Sequence, residues 1–200
     1  MKKIPVVTGG IGSGKSTLTK IFEEKGFKVI SADSVSAEIT KDRQQEISAY
    51  FGIRPMKYES FKKELSKIVF APGGDKGKKW LESLVLPKIR MRMREMITEY
   101  QDQDIDYITE MPTFFETKGL QVHQDYYIIL VVAEVQDRVK RVMDRNGHSF
   151  EQVSNIMKTQ MSDLAKCQYS DVIIYSDNYK KFQTDGKELV NKILGSRYEY

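Results

Sequence analysis

The stretch Ile4-Pro5-Val6-Val7-Thr8-Gly9-Gly10-Ile11-Gly12-Ser13-Gly14-Lys15-Ser16-Thr17 decides the fold. Ile4 to Thr8 is a short apolar run of the kind that makes a strand buried on both faces. Two glycines end it. From Ser16 to Lys25 the apolar residues Leu18, Ile21 and Phe22 keep helical spacing, and Gly26 stands where a helix would stop. Between the two elements, Gly9 to Ser16 satisfies G-x-x-x-x-G-K-[ST] in full, in the strand–loop–helix context that the pattern requires. Glycines let backbone N–H groups turn inward around phosphate oxygens, and the helix adds the positive end of its dipole. Gly10, Ile11, Gly12, Ser13, Gly14, Lys15, Ser16 and Thr17 are therefore expected to cradle a nucleoside triphosphate. Lys15 would reach the β- and γ-phosphates, and the Ser16 hydroxyl would ligate Mg2+.

Outward from this segment, Phe27 to Ile30 reads as a second strand ending in Ser31-Ala32-Asp33. From Val35 to about Tyr100 no strong strand run occurs. Phe61, Leu65, Ile68 and Val69 keep helical spacing, and Trp80, Leu81, Leu84 and Val85 open another helix that Pro87 should kink or interrupt. Asp106 to Met111, Tyr126 to Val132 and Asp171 to Tyr175 read as three further strands. Val135 to Arg145, Phe150 to Leu164 and Phe182 to Leu194 read as helices, the first ended by Asn146-Gly147. Five short strands alternating with helices predict an α/β fold, a doubly wound parallel sheet. The expected division is a core of residues 1–34 and 101–200 interrupted by a helical insertion, residues 35–100.

Composition narrows the class. Hydrophobic residues are 40% and charged residues 30% of 200, which suits a globular chain and excludes disorder or a fibre. Cys167 is the single cysteine, so no internal disulfide forms. Tyr126 to Ala133, the longest apolar run, is far below the ~20 residues that cross a bilayer. The start of the chain has no long apolar stretch of signal-peptide type. The expectation is a cytoplasmic protein with no membrane partner. A net charge of +4 is too small, without a basic stripe and interleaved aromatics, to imply nucleic acid. Small anionic substrates are an equally good reading of it. His123 and His148 are too few and too far apart for a zinc site.

Several short segments, in order and spacing, resemble the dephospho-coenzyme A kinases over nearly the whole chain. They are Thr8 to Thr17, Ala32-Asp33, Trp80-Leu81-Glu82 with Pro87-Lys88-Ile89-Arg90, Pro112-Thr113-Phe114-Phe115-Glu116, and Arg141-Val142-Met143-Asp144-Arg145. Ile156, Gln160, Lys166 and Asp171 continue the spacing. The resemblance implies a P-loop kinase fold with a helical lid near residues 146–166. It also implies transfer of a phosphoryl group from Mg2+-ATP to the ribose 3′-hydroxyl of dephospho-coenzyme A. Five positions depart from the family pattern: Ser31, Ala37, Leu86, Asn155 and Ser176. They keep open a kinase of another ribose-containing acceptor, such as a nucleoside monophosphate. A regulatory P-loop switch would need switch loops and a water-positioning group, and the sequence carries no signature of either.

The resemblance also assigns roles. Lys15, Asp33 and Arg141 are expected to be catalytic, Asp33 orienting the acceptor hydroxyl and Arg141 stabilising the transferring phosphoryl. Arg145 is expected at the nucleotide. Thr8, Asp33, Arg90, Pro112, Phe115 and Glu116 are expected at the acceptor. By spacing alone, Asp33 could instead cap a helix, Phe114 and Phe115 could pack under the third strand, and Glu116 could cap the following helix. Glu110, at the end of the third strand and outside the family match, is either metal-proximal or a surface carboxylate. Lys88, Arg92 and Arg94 read as a solvated face, and Arg138 and Lys140 are assigned no role. The expected assembly is a monomer or weak oligomer.

Overall fold

The computed structural model describes residues 3–69, 71, 73–118, 124–147 and 149–195. The chain runs β1 (Ile4–Thr8), α1 (Lys15–Glu24) and β2 (Lys28–Ser31), then four helices, α2 (Ala32–Asp42), α3 (Gln44–Phe51), α4 (Tyr58–Val69) and α5 (Asp75–Asp102). It continues through β3 (Tyr107–Glu110), α6 (Phe114–Lys118), β4 (Tyr126–Val132), α7 (Val135–Asn146), α8 (Phe150–Lys158), α9 (Asp163–Cys167), β5 (Val172–Tyr175) and α10 (Tyr179–Gly195). Two compact units result, residues 1–30 with 103–200, and residues 31–102. Among the described residues no helix is long and apolar enough to cross a membrane.

The first unit is built on a parallel sheet of strand order β2-β3-β1-β4-β5. β1 is central, so both its faces must be apolar, and Val6 and Val7 are fully buried. Its register on β4 runs from Ile4 opposite Tyr126 to Thr8 opposite Leu130. The apolar face of α1, Leu18, Ile21 and Phe22, closes one side of this sheet with Phe182, Leu189 and Val190 of α10.

The second unit has its own core of Ile47, Ile53, Phe61, Leu65 and Val69. Trp80 packs against it and stacks on Tyr50, ring centroids 3.6 Å apart and planes 3° from parallel. Met93 is buried in α5, whereas Met91 is 57% exposed.

At three places the structure differs from the sequence reading. Pro87 does not interrupt its helix, for α5 is continuous from Asp75 to Asp102. Val85, Ile89, Met93 and Ile97 recur every four residues on its buried side, one before and three after the proline. At ~1.5–3 kcal/mol per buried side chain, four together outweigh the roughly 3 kcal/mol that an internal proline costs. Second, Phe150 to Leu164 is two helices. Thr159 and Gln160 donate their N–H groups to Ile156 and Met157, a tightened last turn, and the Ser162 hydroxyl caps the next helix at the Ala165 N–H. Third, α6 is a short helix directly after Pro112-Thr113 that the hydrophobic spacing did not suggest.

Because Pro87 is exposed in a helix that packing holds together, Pro87→Ala should restore the N–H that bonds the Ser83 carbonyl. Urea unfolding should show a gain of about 1–3 kcal/mol.

Candidate active site

The chain leaves β1 toward β2 and leaves β4 toward β5, and these two strands are neighbours. The crevice beyond their carboxyl ends is therefore the switch point at which open α/β sheets bind ligands. The loop of residues 9–14 lies there. A β-carbon at Gly9 would overlap the Val131 carbonyl of β4. Gly12 has φ +76°, and a β-carbon on it would sit 2.6 Å from the Arg138 carbonyl. Only glycine suits both positions.

α2, α8 and α9 each begin with a serine side chain accepting a backbone N–H. α1 instead begins at Gly14, with no side-chain cap and no acidic residue in its first turn. A helix start without a capping side chain, opening from a glycine loop, has the arrangement of an anion site.

The loop's carbonyls are held from outside. Lys15 Nζ donates to the Gly9 and Gly10 carbonyls, 3.0 Å each, so the ammonium arches back over the loop. Arg138 Nε donates to the Ile11 carbonyl at 2.9 Å. Arg141 Nη1 donates to the Gly12 carbonyl at 3.3 Å and to Ser176 Oγ at 2.8 Å, and its Nη2 donates to the Ser176 carbonyl at 2.8 Å. Ser176 Oγ in turn donates to the Ser13 carbonyl. In a trans peptide the C=O and the following N–H point in opposite directions, so anchoring a carbonyl also aims an amide. Thr8 Oγ1 and Ser13 Oγ are buried with no protein hydrogen-bond partner among the described residues, a feature that calls for a polar ligand or water.

Ser16 Oγ lies 3.5 Å from Glu110 Oε1. Among the described residues no cluster of three or more His, Cys, Asp or Glu side chains could hold a metal. The available donors are two hard oxygens, which fits a Mg2+ ion that keeps phosphate and water as its other ligands. Arg145 is exposed on the last turn of α7.

The Pro112–Glu116 segment follows β3. Pro112 is half-buried, and Phe114 and Phe115 are 0% and 2% exposed, edge-to-face with one another. Phe115, expected at the acceptor, is thus a packed interior side chain here, because its ring is needed to bury α6. Glu116 Oε1 accepts the Met161 N–H at 2.8 Å and lies 3.1 Å from Lys166 Nζ, which is fully buried. The Lys166 contact is an ion pair with poor hydrogen-bond alignment. Glu116 therefore ties α9 and the segment before it to α6 rather than capping the next helix. Burial, then the Asp163 charge, pushes the Cys167 thiol up. His123 and His148 lie outside the described residues.

In the second unit, Ser31 and not Asp33 caps α2, accepting the Ser34 N–H at 3.4 Å. The Asp33 carboxylate is left exposed in the first turn. It lines a cleft of about 470 Å3 with Ala37, Tyr58, Lys62, Leu65, Lys78, Leu81 and Val85. Tyr58 donates to the Ala37 carbonyl at 2.8 Å, and burial, then the Glu59 charge, raises its pKa and keeps it a donor. Arg90 is exposed on α5 and is not part of this lining, whose cations are Lys62 and Lys78. Arg92 pairs with Glu38 and Glu95 on the surface, as a solvated face should.

The family model described as dephospho-CoA kinase matches residues 4–181. The chain belongs to the dephospho-CoA kinase family. Among curated relatives, the dephospho-CoA kinase of Helicobacter pylori is 29% identical over 190 residues, covering 94% of this chain and 95% of that one. That of Aggregatibacter actinomycetemcomitans is 32% identical over 200 residues, covering 97% and 92%. Among solved structures, the dephospho-CoA kinase of Campylobacter jejuni superposes with a TM-score of 0.73 at 28% identity, covering 98% of this chain and all of that one. The fold is the P-loop kinase fold. The family's reaction is ATP-dependent phosphorylation of dephospho-CoA, the last step of coenzyme A synthesis.

Arg138 beside the loop, and Lys62 and Lys78 in the Asp33 cleft, escaped the sequence. The sequence signal for Arg138 is a helix face shared with Arg141, Val142 and Arg145, at spacings of three, four and seven. Lys62 is one turn after Tyr58 and just before the buried Leu65, a position that could have marked it as facing the cleft.

Removing the Glu116 carboxylate would strand a fully buried ammonium. Glu116→Ala should lose about 3–5 kcal/mol in urea unfolding. Lys166→Met, which buries a similar volume without the charge, should lose clearly less.

Proposed function

We propose that this chain transfers the γ-phosphoryl group of ATP to the ribose 3′-hydroxyl of dephospho-CoA, releasing ADP and coenzyme A. The observation that carries the reading is the externally braced phosphate loop at the switch point, in a chain whose family match spans both units. In this reaction the 3′-oxygen forms a bond to the γ-phosphorus, the bond to the ADP oxygen breaks, and the hydroxyl proton passes to a base. Loop amides other than those of Ile11, Ser13 and Thr17, which bond within the protein, bind the phosphates, and Lys15 swings from the Gly9 and Gly10 carbonyls onto them. Arg141 and Arg145 supply positive charge toward the transferring group. Asp33 orients the 3′-hydroxyl and accepts its proton. Ser16 and Glu110 would hold Mg2+, which when bound neutralises charge on the β- and γ-phosphates.

The cleft beside Asp33 suits the acceptor. Leu65, Leu81 and Val85 offer apolar surface to its pantetheine arm, and Lys62 and Lys78 offer cations to its diphosphate. Arg90, Thr8 and Pro112 are the remaining acceptor candidates. Residues 146–166 act as the lid, which excludes water as a competing acceptor. The enzyme works in the cytoplasm on small molecules, as a monomer or weak oligomer without nucleic acid. Ala37 and Ser31, departures from the family pattern beside Asp33, favour as a second reading a kinase of another ribose-bearing acceptor such as a nucleoside monophosphate.

A coupled ADP-release assay with Mg2+-ATP separates the two. Turnover should require dephospho-CoA and yield coenzyme A. Turnover only with a nucleoside or its monophosphate would establish the second reading. Asp33→Asn should lower kcat by about 100- to 10,000-fold with ATP binding retained, whereas Lys15→Ala should lose transfer together with ATP affinity.

A further inference from the structure

We propose that Arg138, locked by Asp163, is a positioning residue for the nucleotide. It holds the peptide after Ile11 so that the loop meets the triphosphate already formed. The proposal rests on reading this loop as the ATP site.

Arg138 is 5% exposed, yet it is a cation with no acceptor on its own helix to explain its burial. Its two hydrogen bonds diverge. Nε reaches the Ile11 carbonyl at 2.9 Å, and Nη1 reaches Asp163 Oδ2 at 2.8 Å. The guanidinium lies against the loop so closely that a β-carbon at Gly10 would overlap it. The N–H of the same Ile11 is held from the other direction, by Gln160 Oε1 at 2.9 Å. Gln160 stands just before α9, and Asp163 is its first residue. One short segment therefore controls both polar groups of Ile11, one directly and one through Arg138.

The physical consequence is preorganisation. With the Ile11 carbonyl anchored on Arg138, the Gly12 N–H in the same peptide plane must point away from it. Gly12, having no side chain, is otherwise free to turn. A loop that must first choose its peptide orientation binds more weakly by the fraction of time it is correct. Asp163 has the complementary task. A buried guanidinium needs a counter-charge, and this pair is 6% and 20% exposed. Only a planar fork serves a carbonyl and a carboxylate in different directions at once, so lysine is a poor replacement.

The test measures ATP binding directly by calorimetry, alongside steady-state kinetics and thermal midpoint. The variants are Arg138→Lys, Arg138→Gln, Asp163→Asn and the double Arg138→Gln/Asp163→Asn. Both Arg138 substitutions should raise the ATP Kd and the KM for ATP about 10-fold or more, with kcat at saturating ATP within about threefold of wild type. Asp163→Asn should weaken ATP binding severalfold, and the double variant should be no worse than Arg138→Gln, because Asp163 acts through Arg138. An ATP Kd within about twofold of wild type in Arg138→Lys would overturn the proposal, however far the thermal midpoint moved. So would additive losses in the double variant. Arg138→Lys keeps the charge and decides the question if Arg138→Gln does not fold. A wild-type protein that binds ATP but does not phosphorylate dephospho-CoA would sink the proposed acceptor and leave this inference standing. A wild-type protein that does not bind ATP would sink both.

Discussion

A loop that binds phosphate through backbone amides has to dispose of its carbonyls. Each peptide carries a donor and an acceptor pointing in opposite directions, and a loop with its amides turned toward an anion presents its carbonyls to the protein. In this chain those carbonyls are met one after another. Lys15 takes those of Gly9 and Gly10, Arg138 that of Ile11, Arg141 that of Gly12 and Ser176 that of Ser13. The sheet order supplies these partners. β4 lies beside β1 and launches α7, which carries both arginines, while β5 lies beside β4 and ends one residue before Ser176. A different strand order would leave the same loop unsupported.

Cations here do structural as well as chemical work. Four buried or half-buried cationic side chains, Lys15, Arg138, Arg141 and Lys166, bond to the loop, to the end of β5 or to α6. Burial of such groups is costly unless each is paired, and each has a partner. Ser176, one of the departures from the family pattern, takes part in this framework, bonding Arg141 and the loop at once through one hydroxyl. Ser31, another departure, caps α2 and so frees Asp33 from that task.

Much of this was legible from residue order. The strand–glycine–helix segment needs only local rules, because the helix start, the loop glycines and the apolar run lie within 25 residues of one another. The five strands were visible as short apolar runs for the same reason. Pro87 misled because its cost is local while the burial that overrides it is distributed over α5. The break at Thr159 to Ser162 was hidden because Phe150 to Leu164 keeps enough helical spacing to mask a serine cap.

The sequence by itself determined the phosphate loop, the alternation of strands and helices, and a family resemblance carried by short motifs in order. These depend on neighbours in the chain. Only the tertiary structure decided that Arg138 is a loop partner rather than a solvated cation, that Phe115 is interior, that Glu116 pairs with a buried lysine, and that Lys62 and Lys78 rather than Arg90 line the Asp33 cleft. Each of those outcomes depends on a partner far away in sequence. A charged side chain carries no local mark of whether it will meet water, a carbonyl or a carboxylate, because that is settled by which strands and helices become neighbours.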